Sequence, residues 1–123
     1  MTVMPKKTLV LGASANPQRY SYLAVNKLAA HQHEVVAIGK REGNIRETQI
    51  VTGTPEIAGI DTVTLYLNPV NQKPYYDYIL SLKPKRIIFN PGTENDELVE
   101  MAEKQGIKTQ DACTLVMLST GQY

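Results

Sequence analysis

The sequence predicts an α/β fold: a Rossmann-like, doubly wound parallel sheet of about five strands with helices on both faces. Short apolar runs rich in β-branched residues alternate with segments of helical periodicity. Glycine, proline or asparagine closes most of the apolar runs. The length of 123 residues suits one domain, which we expect to span 1–123.

The first half of the chain predicts two buried strands, at 7–12 and 33–39, separated by a helix over 20–30. A polar segment punctuated by glycine follows them. In it we expect a small β-extension at 45–51 and one turn near Pro55.

The second half predicts three more strands and three helices: strands at 61–67, 86–90 and 107–110, and helices at 71–82, 95–106 and 112–120. For the last, apolar segment a final strand is the alternative. Because helices separate most of the strands, the strands should pair in parallel, and right-handed crossovers should cover both faces of the sheet.

Composition excludes several classes of function. The chain is 42% hydrophobic and 20% charged with a formal net charge of +1, so bulk charge favours neither nucleic acid nor a membrane surface. Apolar runs are shorter than the roughly 20 residues of a membrane span. The start of the chain is too short for a signal peptide, and a single cysteine, Cys113, fits a reducing compartment. We therefore expect a cytoplasmic protein without a disulfide or metal site.

The segment between the first strand and the first helix is unusually polar for a turn. Backbone N–H groups at a helix start, together with its partial positive charge, form a site for a phosphate. Ser14 and Ser21 add hydroxyl groups, and Arg19 adds a guanidinium suited to phosphate. The ordinary alternative is that one serine caps the helix and Arg19 is a solvated side chain.

Two cations follow the second strand. A site for NAD usually has an acid there, whereas this chain has Lys40 and Arg41. Two adjacent cations favour a ligand with a phosphate on its ribose, and both NADP and coenzyme A carry one. The ordinary alternative is that Lys40 and Arg41 simply belong to a charged, solvated loop. After Gly12 the chain has no second or third glycine of the pattern G-x-G-x-x-G, and Pro17 removes a backbone N–H donor from the loop. Both features disfavour a nicotinamide dinucleotide.

The stretch "GASANPQRYSYLAVNKL", residues 12–28, and "NPGTENDELVEMAEKQGIKTQDAC", residues 90–113, together resemble the small CoA-binding domain proteins. These are single-domain relatives of the CoA-binding half of the succinyl-CoA synthetase α subunit. The first stretch matches the family pattern G-A-S-x-x-P-x-R-x-S at Gly12, Ala13, Ser14, Pro17, Arg19 and Ser21. The resemblance implies a domain that holds coenzyme A through its phosphates and adenine.

The resemblance implies phosphate contacts at Ser14, Arg19 and Ser21, with Lys40 and Arg41 near the 3′-phosphate. It implies that residues 67–69 line the adenine or pantetheine side, and that Pro91, Gly92 and Asn95 form the far rim of the site. The candidate cofactor-binding residues are Gly12, Ala13, Ser14, Asn16, Arg19, Tyr20, Ser21, Gly39, Lys40, Arg41, Leu67, Asn68, Pro69, Pro91, Gly92 and Asn95.

The chain departs from the family pattern at four places, chiefly toward the thiol end of the ligand. The family usually has a proline before the lysine, often an aspartate in the first loop, a Gln-x-Gly after the fourth strand and an arginine before the cysteine. This chain has there Gly39, Asn16, Asn90-Pro91-Gly92 and Ala112.

No set of residues predicts catalysis. We expect His31 and His33 on the surface, at the opposite edge of the sheet from the ligand, and Cys113 buried against Leu115 and Val116. The sequence therefore favours a module that binds coenzyme A or an acyl-CoA without catalysis. The alternatives are an NADP-dependent oxidoreductase-like domain, and an interaction protein that has lost the ligand and forms a homodimer through its tyrosines.

Overall fold

One seven-stranded sheet, in the order β3-β4-β2-β1-β5-β6-β7, carries the fold in the computed structural model, which describes residues 4–123. The strands are β1 (Thr8–Leu11), β2 (Val35–Ile38), β3 (Gly43–Ile45), β4 (Thr48–Val51), β5 (Thr62–Leu65), β6 (Arg86–Phe89) and β7 (Lys108–Asp111). The helices are α1 (Tyr20–Ala30), α2 (Pro69–Gln72), α3 (Tyr76–Ser81), α4 (Asp96–Glu103) and α5 (Thr114–Ser119).

The strand order reverses at the centre of the sheet. Strand β1 pairs in parallel with β2 on one side and with β5 on the other, so that Leu11 lies between Ile38 and Leu65. A crevice opens at such a switch point, beyond the carboxyl ends of the strands, and it is where ligands bind in this class of sheet. The predicted Rossmann-like α/β class is thus confirmed.

The sheet has seven strands rather than about five. The segment predicted as a small extension at 45–51 is a hairpin of β3 and β4, and β4 pairs in parallel with β2. Ile45 and Ile50 are each 1% exposed, so burial of these two side chains draws an otherwise polar segment into the sheet.

Helices cover both faces of the sheet. On one face Leu9, Leu11 and Phe89 are fully buried in a cluster that includes Ile79 of α3 and Leu98 of α4. On the other face Val10 packs in a cluster with Leu28 of α1 and Leu118 of α5. Alternate residues of β1 therefore enter different cores, as expected for a strand buried on both sides.

The predicted helix at 71–82 is broken into two. The side chain of Asn68 accepts a hydrogen bond from the Asn71 amide and starts α2, which ends at Gln72. A 3-10 turn over Lys73–Tyr75 then leads into α3. Pro74 lacks an N–H group and cannot continue an α-helical hydrogen-bond ladder, which accounts for the break. The final segment is a helix, α5, so its alternative assignment as a strand is wrong.

The predicted surface position of His33 is also wrong, whereas His31 is exposed. His33 is 5% exposed, accepts a 3.0 Å hydrogen bond at Nδ1 from the Lys6 amide, and packs 4.9 Å from the Tyr123 ring. Both partners are distant in sequence and could not be read from local pattern. Cys113 is only half-buried, and Val116 is 57% exposed, so the predicted burial of Cys113 against Val116 is wrong.

Candidate functional site

A cleft of about 740 Å³ lies beyond the carboxyl ends of β1, β2, β5 and β6. Four loops line it, each following one of these strands. The lining residues are Gly12, Ala13, Ser14, Ala15, Asn16, Arg19, Tyr20, Ser21, Lys40, Arg41, Glu42, Tyr66, Leu67, Asn68, Pro91, Gly92 and Thr93.

The first loop turns sharply at Gly12, whose φ is +98°. A Cβ atom on this residue would lie 2.9 Å from the carbonyl carbon of Tyr66, so only glycine fits here without a shift of the backbone. The amides of Gly12 and Ala13 both donate to the Ile38 carbonyl at 2.9 Å. The loop is therefore fixed between the ends of β2 and β5.

Side chains within the first loop shape its backbone. Ser14 Oγ accepts from the Asn16 amide at 3.1 Å, and Asn16 Oδ1 accepts from the Gln18 amide at 3.0 Å. Helix α1 begins after Arg19, and no side chain caps its first turn. The alternative that Ser14 or Ser21 caps this helix is thus wrong.

The N-terminus of α1 retains free hydrogen-bond donors. Within residues 4–123, the backbone amides of Tyr20 and Ser21 have no acceptor, as expected for the first turn of a helix. No acidic residue occupies that turn. Both residues line the cleft, so an anion in the cleft could accept from these amides and gain from the helix dipole.

Three cations surround the same space. Arg19, Lys40 and Arg41 are exposed, line the cleft, and form no ion pair with any residue that the structure describes. Glu42 is the single carboxylate among the lining residues. The cleft is therefore cationic although the whole chain is nearly neutral.

A smaller cavity of about 230 Å³ adjoins the cleft and shares Gly12, Lys40 and Leu67 with it. Its other lining residues are Gly39, Asn71, Pro74 and Tyr75. The ring of Tyr75, the ring of Pro74 and the side chain of Leu67 give this slot mostly apolar walls. It has the chemistry to hold a flat apolar ring beside a cationic site.

Residues 6–119 match the sequence model of a family described as the CoA binding domain. The chain belongs to this family. The resemblance predicted from residues 12–28 and 90–113 is thus confirmed over nearly the whole chain. No curated protein matches the sequence.

Solved structures share the fold of this CoA-binding domain chain. The crystal structure of an uncharacterized protein has 52% sequence identity and a TM-score of 0.96, and covers 98% of this chain and 100% of its own. A hypothetical protein from Pyrococcus horikoshii OT3 has 20% identity and a TM-score of 0.84, covering 94% of this chain and 83% of its own. A conserved hypothetical protein from Pyrococcus furiosus has 21% identity and a TM-score of 0.74, covering 85% of this chain and 91% of its own.

All but three of the predicted binding residues line the cleft, and these three are Gly39, Pro69 and Asn95. Gly39 lines the adjoining slot. Pro69 is the first residue of α2. Asn95 is 8% exposed and caps α4, so the structure gives its side chain a role within the fold.

The sequence pattern does not identify all of the lining residues. Tyr66 and Thr93 each directly adjoin a predicted residue, so a wider window around the strand ends would have included them. Asn71, Pro74 and Tyr75 of the slot lie beyond the β5 loop, in α2 and the 3-10 turn. Nothing in a helical pattern indicates a ligand-facing role, so no local signal could have identified them.

Tyr66 has a buried hydroxyl group with no hydrogen-bond partner among residues 4–123. Burial raises the pKa of this phenol well above its usual range, and the neighbouring Cys113 raises it further. Its hydroxyl therefore stays protonated at physiological pH and cannot act as a base.

Within residues 4–123 no three side chains of His, Cys, Asp and Glu are grouped in a way that could hold a metal ion. In the same range, every helix is too short or too polar to span a bilayer.

Proposed function

We propose that the cleft binds coenzyme A, as the free molecule or as an acyl thioester. The observation that carries the proposal is the placement of Arg19, Lys40 and Arg41 around one cleft, beside free amides at the start of α1. A ligand with several phosphates matches this arrangement of separated cations and backbone donors. Membership of the CoA-binding domain family supports the same ligand.

In this proposal the pyrophosphate lies at the N-terminus of α1. The amides of Tyr20 and Ser21 donate to it, and Arg19 supplies a guanidinium that can contact two phosphate oxygens at once. Lys40 and Arg41 hold the 3′-phosphate of the ribose. Glu42, on the same loop, lies among the lining residues and would disfavour a second negative group there.

The adenine ring enters the slot beside Lys40, between Tyr75, Pro74 and Leu67. Asn71 lines this slot, and an asparagine amide can exchange a hydrogen bond with an adenine edge. The pantetheine arm then follows the opposite wall of the cleft, which residues 91–93 form.

The proposed role is binding without catalysis. The chain's own residues bind the phosphates, orient the nucleotide and enclose part of the arm. The neutral phenol of Tyr66 supplies no base. A free thiol, Cys113, fits the reducing environment of the cytoplasm, where we propose that the protein works.

A panel of nucleotides tests the proposal. Thermal shift and calorimetry with coenzyme A, dephospho-CoA, NADP and NAD should show binding of coenzyme A. Dephospho-CoA should bind more weakly by about tenfold or more, because it lacks the 3′-phosphate that Lys40 and Arg41 contact. Preference for NADP over NAD without a response to coenzyme A would instead favour an oxidoreductase-like domain. No response to any nucleotide would favour an interaction protein that has lost its ligand.

A further inference from the structure

We infer that Gln72 is a positioning residue. It sets the distance between two loops of the cleft wall, the loop that follows β5 and the loop that follows β6. Its side chain is fully buried although glutamine is a polar residue that usually lies at the surface. The inference rests on the proposed function for its ligand, but its structural part concerns only residues of this chain.

The Gln72 amide joins the two loops directly. Nε2 donates one hydrogen bond to the Leu67 carbonyl and one to the Thr93 carbonyl, each at 2.8 Å. Leu67 follows β5 and Thr93 follows β6, and both residues line the cleft. Both N–H groups of one amide are thus used to hold two walls of the same space.

A second amide fixes the orientation of the first. Asn95 Nδ2 donates to Gln72 Oε1 at 2.9 Å and to Tyr76 Oη at 2.7 Å. Asn95 Oδ1 accepts from the Leu98 amide at the start of α4. Since a backbone amide can only donate, the Asn95 oxygen must face Leu98, and its nitrogen must face Gln72. The Gln72 oxygen then faces Asn95, which leaves its NH₂ group for the two loop carbonyls.

The bond to the Thr93 carbonyl is buried and the bond to the Leu67 carbonyl is partly buried, so losing both is costly. Without the Gln72 donors the Thr93 carbonyl has lost this partner in a place that water reaches poorly, and the Leu67 carbonyl is left at the cleft wall without this partner. The loops would shift to find other donors. A shift of the loops misplaces the groups that contact the ligand, although Gln72 itself does not line the cleft.

The test uses two variants with different risks to folding. Gln72→Met has a similar length and no donor. Asn95→Asp keeps the helix cap, because a carboxylate accepts from the Leu98 amide, but it loses both donated bonds. Calorimetry at a temperature where circular dichroism shows every variant folded should give a Kd for coenzyme A raised by about tenfold or more in each.

Arg86→Met is the matched control. Arg86 is half-buried at the start of β6, away from the cleft, and it donates to Thr62 and Gln110. This variant therefore also loses interior hydrogen bonds. Its Kd for coenzyme A should equal that of the wild type. Wild-type affinity in both Gln72→Met and Asn95→Asp, or an equal loss in Arg86→Met, overturns the inference.

Two further readouts separate positioning from general stability. In Gln72→Glu only the protonated carboxyl can donate, so the ratio of its Kd to the wild-type Kd should fall as pH falls from about 8 to 5.5. A constant ratio contradicts the role of the donor. Hydrogen exchange at residues 67–68 and 92–95 should be faster in Gln72→Met but unchanged in Arg86→Met.

The exchange measurement also distinguishes the two proposals. If the wild type does not bind coenzyme A, the proposed function fails, and exchange alone decides the positioning role. Faster exchange in both loops of Gln72→Met supports that role. Unchanged exchange in either loop overturns it whatever the ligand is.

Discussion

The carbonyl oxygen of Ala13 lies against Gly39 so closely that an ideal Cβ on that glycine would be 2.2 Å from it. This contact seats the first loop on the end of β2, where the Ile38 carbonyl accepts from the amides of Gly12 and Ala13. It brings the start of α1 and Lys40 to the same cleft. The glycine at the position where the family usually has proline is therefore required by the shape of this loop.

Gly39→Ala should displace the first loop and weaken binding of coenzyme A. The methyl group has no space, so we expect a loss of about 1–3 kcal/mol in the free energy of unfolding and a raised Kd. Gly59→Ala is the control: Gly59 has a φ of +75° in open space, so it loses about 1–2 kcal/mol from backbone strain alone. Chemical denaturation and calorimetry check both variants. Equal Kd values in the two would show that the contact does not shape the site.

Arg19→Ala and Lys40→Ala should each raise the Kd for coenzyme A by about tenfold to a hundredfold, because each removes a charged donor to a phosphate. Lys104→Ala is the matched control, since it removes the same charge from an exposed ion pair with Glu100 on α4. Calorimetry at fixed ionic strength measures all three. Unchanged affinity in both cleft variants would remove the proposed phosphate site.

Stability should fall in mildly acidic solution because of His33. Burial first, and then the charges of Lys6, His31 and Arg86, lower the pKa of this imidazole below its usual value. Folding thus favours neutral His33, whose Nδ1 must accept from the Lys6 amide. Its contribution is present above the unfolded pKa of about 6.5 and is lost as pH falls through that value toward the folded pKa.

Urea denaturation between pH 5 and pH 8 measures this dependence. His33→Asn should flatten the curve, whereas exposed His31→Asn should leave most of the slope in place, because burial is the largest cause of the lowered His33 pKa. A slope that survives in His33→Asn would assign the pH dependence to other groups.

Tyr66→Phe should be neutral or stabilising by up to about 1 kcal/mol, because the hydroxyl that it removes is buried without a partner. Tyr78→Phe provides the contrast. Tyr78 Oη donates to the Pro55 carbonyl at 2.6 Å, so its loss should cost about 1 kcal/mol. Thermal and chemical denaturation compare the two. Destabilisation of Tyr66→Phe as large as that of Tyr78→Phe would mean that the Tyr66 hydroxyl has a partner, such as an ordered water.

Local patterns were sufficient to predict the site's main features. Each of the five segments predicted as a strand is a strand at nearly the predicted position, and parallel pairing places the carboxyl ends of these strands on one side of the sheet. Arg19 and Lys40 could therefore be assigned to one cleft from their positions after two strands. Their proximity follows from topology and needs no knowledge of side-chain packing.

The features that the sequence did not predict depend on contacts between residues that are far apart in the sequence. His33 is buried by Lys6 and Tyr123, which are separated from it by long stretches of chain. Gln72 and Asn95 are polar residues on or beside helices, where a solvated position is the usual expectation. Only the folded structure shows that the side-chain amides of Gln72 and Asn95 are hydrogen-bonded to each other.

The start of α1 presents the backbone N–H groups of Tyr20 and Ser21 to the cleft, and every residue except proline carries such a group. Exchange of the exposed side chains along it would leave those donors in place. Substitution of the exposed Tyr20 is therefore compatible with the proposed use of these donors, whereas a single added methyl group at Gly39 is not compatible with the position of the first loop. In this chain the absence of a side chain at that glycine preserves the shape of the cleft.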